Sequence, residues 1–222
     1  MKIYVAGSGG KTSLIHYLAE QYRGKRKKVL ILTTTHMMEE EGCLIYEDSL
    51  EAFRKQIKER LCRRGVVQAG RKAPDGKIFW IGQEAYKALE GCADVTLIEA
   101  DGSKGLPAKM PNSTEPVILP DADEIYVVFG LLALGKRAGD VCHRIQLAEK
   151  IIKPGETLTE EAAARLLTEG YLKPLEEQYP KSAIKLVLNQ ADCDIVKEKG
   201  EQVAKKTGYP AWVVSLRQEC RE

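Results

Sequence analysis

The chain has almost no excess charge of either sign: 34 Lys and Arg against 32 Asp and Glu leave a net charge of +2. So even a balance creates no global field to gather nucleic acid or a membrane surface, and neither is expected as a partner. Paired cysteines are missing. Cys43, Cys62, Cys92, Cys142, Cys193 and Cys220 are scattered, with no C-x-x-C among them. That argues against a structural zinc site and against a disulfide framework. Long apolar runs are missing too. The longest, Ile125–Leu134, is ten residues with Gly130 inside it, too short to span a bilayer. There is no repeat, low-complexity tract or long linker. One α/β domain over residues 1–222 is expected. The first strand starts at residue 2 or 3, so no signal peptide is expected and the expected location is cytoplasmic. The one basic run, Arg23-Gly24-Lys25-Arg26-Lys27-Lys28, falls between a helix and a strand. It reads as a solvated turn or as a contact for RNA or another anionic partner.

What is present concentrates near the start. Ile3, Tyr4 and Val5 form a short β-branched and aromatic run that meets Gly7, Ser8, Gly9 and Gly10. Lys11, Thr12 and Ser13 follow, and then an apolar helical pattern begins. Strand, glycine loop, Lys-Thr and helix is the layout of a phosphate-binding loop. Glycines let consecutive N–H groups turn around an anion, and the helix start adds its positive end. Lys11 can reach the outer phosphates, and the Thr12 hydroxyl can ligate Mg²⁺. The spacing is compact: the first glycine stands four residues before Lys11, and Val5 occupies the position six before it. This G-x-x-G-K-T form resembles the loop of the Mur ligase and folylpolyglutamate synthetase families.

Strand-like and helix-like segments then alternate. Strands are expected at Val29–Leu32, Lys77–Ile81, Val95–Ile98, Glu124–Phe129, Lys185–Leu188 and Trp212–Val214. Helices are expected over 49–64, 142–152, 159–169 (capped by Thr159 and closed by Gly170) and 194–206 (closed by Gly208). The alternation predicts an α/β fold: a mostly parallel sheet with helices on both faces, a three-layer sandwich of the P-loop NTPase kind.

In such sheets ligands bind beyond the carboxyl ends of the strands. Thr33-Thr34-Thr35-His36 follow one strand, and His36 can order phosphate, Mg²⁺ or attacking water; the threonines can equally just extend the strand. Glu99 and Asp101 follow the next, two apart, where a phosphate-loop enzyme holds its metal. Lys104 and Lys109 flank that turn. Asn189-Gln190-Ala191-Asp192 follow a later strand and resemble the N-[KQ]-x-D signature of P-loop GTPases. There an Asp carboxylate accepts two hydrogen bonds from guanine, whereas adenine offers neither donor. Gln190 stands where that signature has Lys, and Ser215 falls in a loop that resembles the guanine-carbonyl contact. The alternative is a plain strand-end turn. Arg144 can stabilise charge on a transferring phosphoryl group, or simply sit on the surface at a helix start.

Taken together, GSGGKTS at 7–13, TTTH at 33–36, EADGSKGLPAKMP at 99–111, EPVI at 115–118, GLLALGK at 130–136 and His143-Arg144 resemble the YqeC family in the same order along the chain. Ala108 and Met110 depart from the expected end of the 99–111 block. The resemblance implies an accessory protein that serves maturation of a selenium-dependent molybdenum hydroxylase, with that hydroxylase or its maturation factors as partner. The expected activity is Mg²⁺-dependent binding and hydrolysis of a nucleotide, GTP or ATP. Lys11, His36, Asp101 and Arg144 are the catalytic candidates, Thr12, Glu99 and Asp101 the metal ligands, and Asn189, Asp192 and Ser215 the base site. Alternatives are an ATP-dependent ligase or kinase built on the short loop, and a nucleotide sensor without turnover.

Overall fold

A computed structural model describes residues 1–219; Cys220 lies outside the described residues. The strands are β1 (Lys2–Gly7), β2 (Val29–Thr33), β3 (His36–Met38), β4 (Leu44–Ile45), β5 (Val66–Ala73), β6 (Lys77–Phe79), β7 (Val95–Glu99), β8 (Ala108–Lys109), β9 (Glu124–Gly130), β10 (Cys142–His143), β11 (Ala183–Asn189) and β12 (Ala211–Val213). The helices are α1 (Lys11–Gly24), α2 (Leu50–Arg64), α3 (Gln83–Ala88), α4 (Ala138–Val141), α5 (Glu160–Leu167), α6 (Lys173–Gln178), α7 (Asp194–Thr207) and α8 (Leu216–Glu219). Ten strands form one sheet in the order β12-β11-β9-β1-β7-β2-β5-β6-β3, with β4 alongside β5. Every pairing from β12 to β5 is parallel; only the β5–β6 and β6–β3 pairings are antiparallel, so β6 alone reverses direction at this edge. The fold is α/β with a mostly parallel sheet.

Side chains alternate across β1 and so serve two cores. Ile3 and Val5 pack with Leu14, Ile15 and Leu18 of α1. Tyr4 and Ala6 pack on the opposite face, whose core includes Phe53, Ile57 and Leu61 of α2 and Val203 of α7. β1, flanked by β7 and β9, is therefore buried on all sides, and the loop that leaves it is held from below by the sheet.

Two expected helices come out differently. Over 142–152 the chain forms a two-residue strand and a single 3₁₀ turn, Ile145–Ala148. Cys142 and His143 pair with Ala108 and Lys109, and Arg144 at φ 59° turns the chain left-handed, so no helix can run through. The helix at 160 does begin on its Thr159 cap, which accepts from the Ala162 N–H. It does not stop at Gly170. A π-helical turn, Thr168–Leu172, carries it on into α6. A Cβ at Gly170 would sit 2.9 Å from the Met110 Sδ, so this glycine permits a close approach rather than ending a helix.

Candidate functional site

The glycine loop is fixed by contacts that forbid side chains. A Cβ on Gly7, at φ 94°, would lie 2.1 Å from the Val128 carbonyl oxygen, and one on Gly10 would lie 2.1 Å from the Asn189 amide nitrogen. Gly9 likewise sits against Gly130 and Pro107. The Ser8 N–H donates to Val128 O (2.8 Å) and its hydroxyl to Pro107 O (3.1 Å), so Ser8 props the loop from beneath. Among the described residues no side chain caps α1, so its first N–H groups face outward at the strand ends. That makes the start of this fourteen-residue helix a candidate anion site.

Lys11 is buried. Its Nζ donates to Gly7 O (2.8 Å) and lies 3.3 Å from Asp101 Oδ1 and 3.9 Å from Glu99 Oε1. Thr12 is exposed and its hydroxyl donates to Glu99 Oε2 (3.2 Å). Glu99 sits at the end of β7 with its carboxylate almost wholly enclosed. Burial pushes its pKa up from the ordinary value, with Lys11 pulling the other way and Asp101 adding to the rise. A divalent ion at this point would supply the missing positive charge. Among the described residues no three His, Cys, Asp or Glu gather as a metal cage. The donor set fits an ion that takes one hydroxyl, one carboxylate, waters and phosphate oxygens, which is how Mg²⁺ is usually held.

Asp101 does not reach this surface. It is fully buried; its Oδ2 accepts from the Gly7 N–H (3.1 Å) and the Tyr171 hydroxyl (2.9 Å) and pairs with Lys109 Nζ (3.0 Å). Lys109, equally buried, donates on to Glu115 and to Gly102 O, both at 2.6 Å, and Arg144 pairs with the same Glu115 carboxylate. Burial alone would push the Glu115 pKa up, but Arg144 and Lys109 override it and hold it below the ordinary value. Arg144 is committed to this chain of charges and does not line the cleft; nor does Lys109. Sequence alone shows no sign of this, because a lysine this far along the chain from the loop reads as solvated.

A cleft of about 610 Å³ opens over the loop. Gly9, Gly10, Lys11, Thr12, Ser13 and Glu99 form its floor, and His36 stands exposed on one wall. Four cations line it, Lys11, Lys77, Lys104 and Arg217, against the single carboxylate of Glu99. Lys77 and Arg217 escape sequence reasoning because neither falls in a motif; the sheet order and the last turn bring them here.

At the other end Asn189 is a bridge. Its Nδ2 donates to Gly9 O (2.8 Å), and its Oδ1 accepts from the Leu216 N–H (3.0 Å). The glycine loop, the strand end at 189–192 and the turn at 215–216 are thus one unit. Asp192 and Ser215 line an adjoining hollow of about 290 Å³, where the Ser215 hydroxyl donates to Asp192 Oδ1 at 2.5 Å. Gln190, at φ 69°, turns its side chain toward Gly130, and its buried Oε1 has no hydrogen-bond partner among the described residues.

Among the described residues no helix is long and apolar enough to cross a membrane. Residues 3–146 match the sequence pattern of the family described as YqeC protein. The uncharacterized protein YqeC of Escherichia coli is 35% identical over 140 residues, which are 61% of this chain and 54% of that protein. The chain therefore spans about half the length of this curated relative. Of solved structures, the signal recognition particle 54 kDa protein from Aeropyrum pernix, in complex with GDP, is 15% identical with a TM-score of 0.44, over 96% of this chain and 41% of that one. An apo GTPase from Pyrococcus abyssi is 14% identical with a TM-score of 0.39, over 98% and 91%. Overlays this loose say nothing about what the present cleft holds.

Proposed function

Since this chain belongs to the YqeC protein family, we propose that it is the family's nucleotide-handling unit: it binds a Mg²⁺–nucleoside triphosphate, prefers guanine, and hydrolyses it slowly. The observation that carries this reading is the Asn189 bridge, which makes the candidate phosphate cradle and the candidate base hollow one site. The α1 N–H groups and the glycine loop hold the phosphate chain. Lys11 leaves Gly7 O and turns to the outer phosphates. Thr12 and Glu99 would hold Mg²⁺, which would supply positive charge toward the phosphate oxygens. Asp101 keeps its place below, holding the Gly7 N–H and Lys11 in register.

Asp192 Oδ2 is open to a guanine donor, and Oδ1, already accepting from Ser215, has a second lone pair for the other. In hydrolysis a water attacks the terminal phosphorus and the bond to the bridging oxygen breaks. The negative charge gathering on that oxygen faces Lys11 and the loop N–H groups. His36, exposed on the cleft wall, would orient that water. Turnover would then drive the accessory role implied for the family, the maturation of a molybdenum hydroxylase. A second reading, phosphoryl transfer to a bound acid, is favoured by a cleft lining that extends past the loop and Glu99 to His36, Met37, Met38 and Lys77.

The test is thermal unfolding with Mg²⁺ and GTP, ATP or neither. GTP is expected to raise the melting temperature more than ATP. A larger rise with ATP would put the ligase or kinase reading first, and no rise with either would end the proposal.

A further inference from the structure

The order of strands gives the cleft a direction. Asn189 and Asp192 stand beyond β11, two strands to one side of β1; Glu99 ends β7, on the other side, and β2, β5, β6 and β3 follow outward. A nucleotide with its base at Asp192 crosses the glycine loop and points its terminal phosphate toward Thr12, Glu99 and the β6–β3 edge. That edge contributes His36, Met37, Met38 and Lys77 to the cleft wall, none of which belongs to the loop or to the carboxylates behind it. Lys77 has neither an ion pair nor a side-chain hydrogen bond among the described residues. His36 stands beside Phe79, with ring centroids 6.1 Å apart, and Met38 is 58% exposed. Lys104, from the loop after β7, lines the same cleft and is likewise unpaired.

We propose that this end of the cleft is a second ligand subsite, which holds a small anion, a carboxylate or an inorganic oxyanion, next to the terminal phosphate of the bound nucleotide. It rests on the nucleotide reading above and names what the rest of the cleft is for. Two anions side by side repel, and unpaired cations near both are what make such a neighbourhood tolerable. The lysines supply that charge, and the His36 imidazole supplies a directional hydrogen bond. The Met38 thioether gives a short apolar contact for whatever carries the anion.

The test uses the full chain loaded with Mg²⁺ and a non-hydrolysable GTP analogue, whose binding is measured first by calorimetry. Inorganic phosphate and succinate are titrated separately while the His36 ring protons are followed by NMR. His16, held 3.1 Å from Glu40, serves as the internal control. At least one anion is expected to shift His36 saturably and leave His16 unmoved. Lys77→Ala and Lys77→Glu are expected to raise the half-saturating concentration by about tenfold or more, and to change analogue affinity by less than about threefold. Saturation by phosphate alone identifies an oxyanion site, and by succinate alone a carboxylate site. No saturable shift with either anion, or the same titration in both Lys77 variants, overturns the subsite and leaves nucleotide binding standing. If the analogue itself does not bind, the nucleotide reading falls and the subsite falls with it.

Discussion

Two sets of cations lie within the same few strand ends and differ in every respect that matters. Lys11 and Lys109 are buried, and each touches carboxylates: Asp101 and Glu99 for the first, Asp101 and Glu115 for the second. Lys77, Lys104 and Arg217 are exposed along the cleft and have no carboxylate partner among the described residues. A buried charge without a partner is too costly to keep, so the first set had to be neutralised for the chain to fold. Water pays no such penalty on the second set, and its positive charge stays available to a ligand. The difference separates charges that hold the site's shape from charges that wait for an anion. Lys11 alone belongs to both, since it is paired yet lines the cleft.

The largest expected effect falls on the buried set. Lys109→Met leaves Asp101 and Glu115 short of a partner and should lower stability by about 3–5 kcal/mol, a fall in melting temperature of roughly 6–20 °C. Lys77→Met should stay within about 0.5 kcal/mol. Denaturant unfolding of both would break the comparison if the two losses were alike.

Lys11→Ala is next. It should weaken Mg²⁺–triphosphate binding by about 1.5–3 kcal/mol, tenfold or more by calorimetry, and should also cost stability because Asp101 Oδ1 loses its cation. Affinity left intact would show that the loop does not hold phosphate.

Asp192→Asn sharpens the other end of the site. An amide in place of the carboxylate turns an acceptor into a donor, so GTP should weaken and XTP strengthen, each by roughly 1–3 kcal/mol. Competition among GTP, ATP and XTP on both proteins reads it. Without a relative gain for XTP, residues 189–192 are only a turn.

Metal dependence distinguishes Glu99 from Asp101. Glu99→Gln and Thr12→Ala should weaken binding more with Mg²⁺ than without it, whereas Asp101→Asn should cost mainly stability. The pH response has a definite sign. Burial raises the Glu99 pKa, and only the ionised carboxylate holds the metal, so Mg²⁺ affinity should fall, as pH is lowered, sooner than for an exposed Glu. Stability runs the other way. A raised folded-state pKa contributes stability that is present below the unfolded value and is lost as pH rises through the folded one. Mg²⁺ titrations at successive pH values test it; a flat profile would place the metal elsewhere. The smallest effect is expected from Lys104→Ala and Arg217→Ala, each about 0.5–1 kcal/mol in triphosphate affinity and vanishing at high salt.

The centre of the fold and its β12 edge were legible; much of the opposite edge was not. β1, the glycine loop and α1 announce themselves because a buried parallel strand, a turn and an amphipathic helix each leave a local pattern. β7, β9, β11 and α7 do the same. At the far edge β6 was expected, at Lys77–Ile81, but β3 and β5 were obscured: Val66–Ala73 carries Gln68, Gly70, Arg71 and Lys72, and its strand character comes from pairing with β2, β4 and β6. The same limit applies at the site. Residues 7–13 and Asn189 were visible as motifs. Lys77 and Arg217 reach the cleft only through tertiary arrangement, and Asp101 looked like a ligand because sequence shows spacing but not depth. Tyr171, 70 positions away, is part of what buries it.

The Asn189 bridge also has a temporal consequence. One amide holds the glycine loop with its nitrogen and the start of α8 with its oxygen. An opening that frees the base end therefore loosens the phosphate end in the same event. Departure of a spent nucleotide should then be a single relaxation, not a base step followed by a phosphate step. Stopped-flow release of a base-labelled and a phosphate-labelled nucleotide should give one shared rate constant, and Asn189→Ala should split it into two.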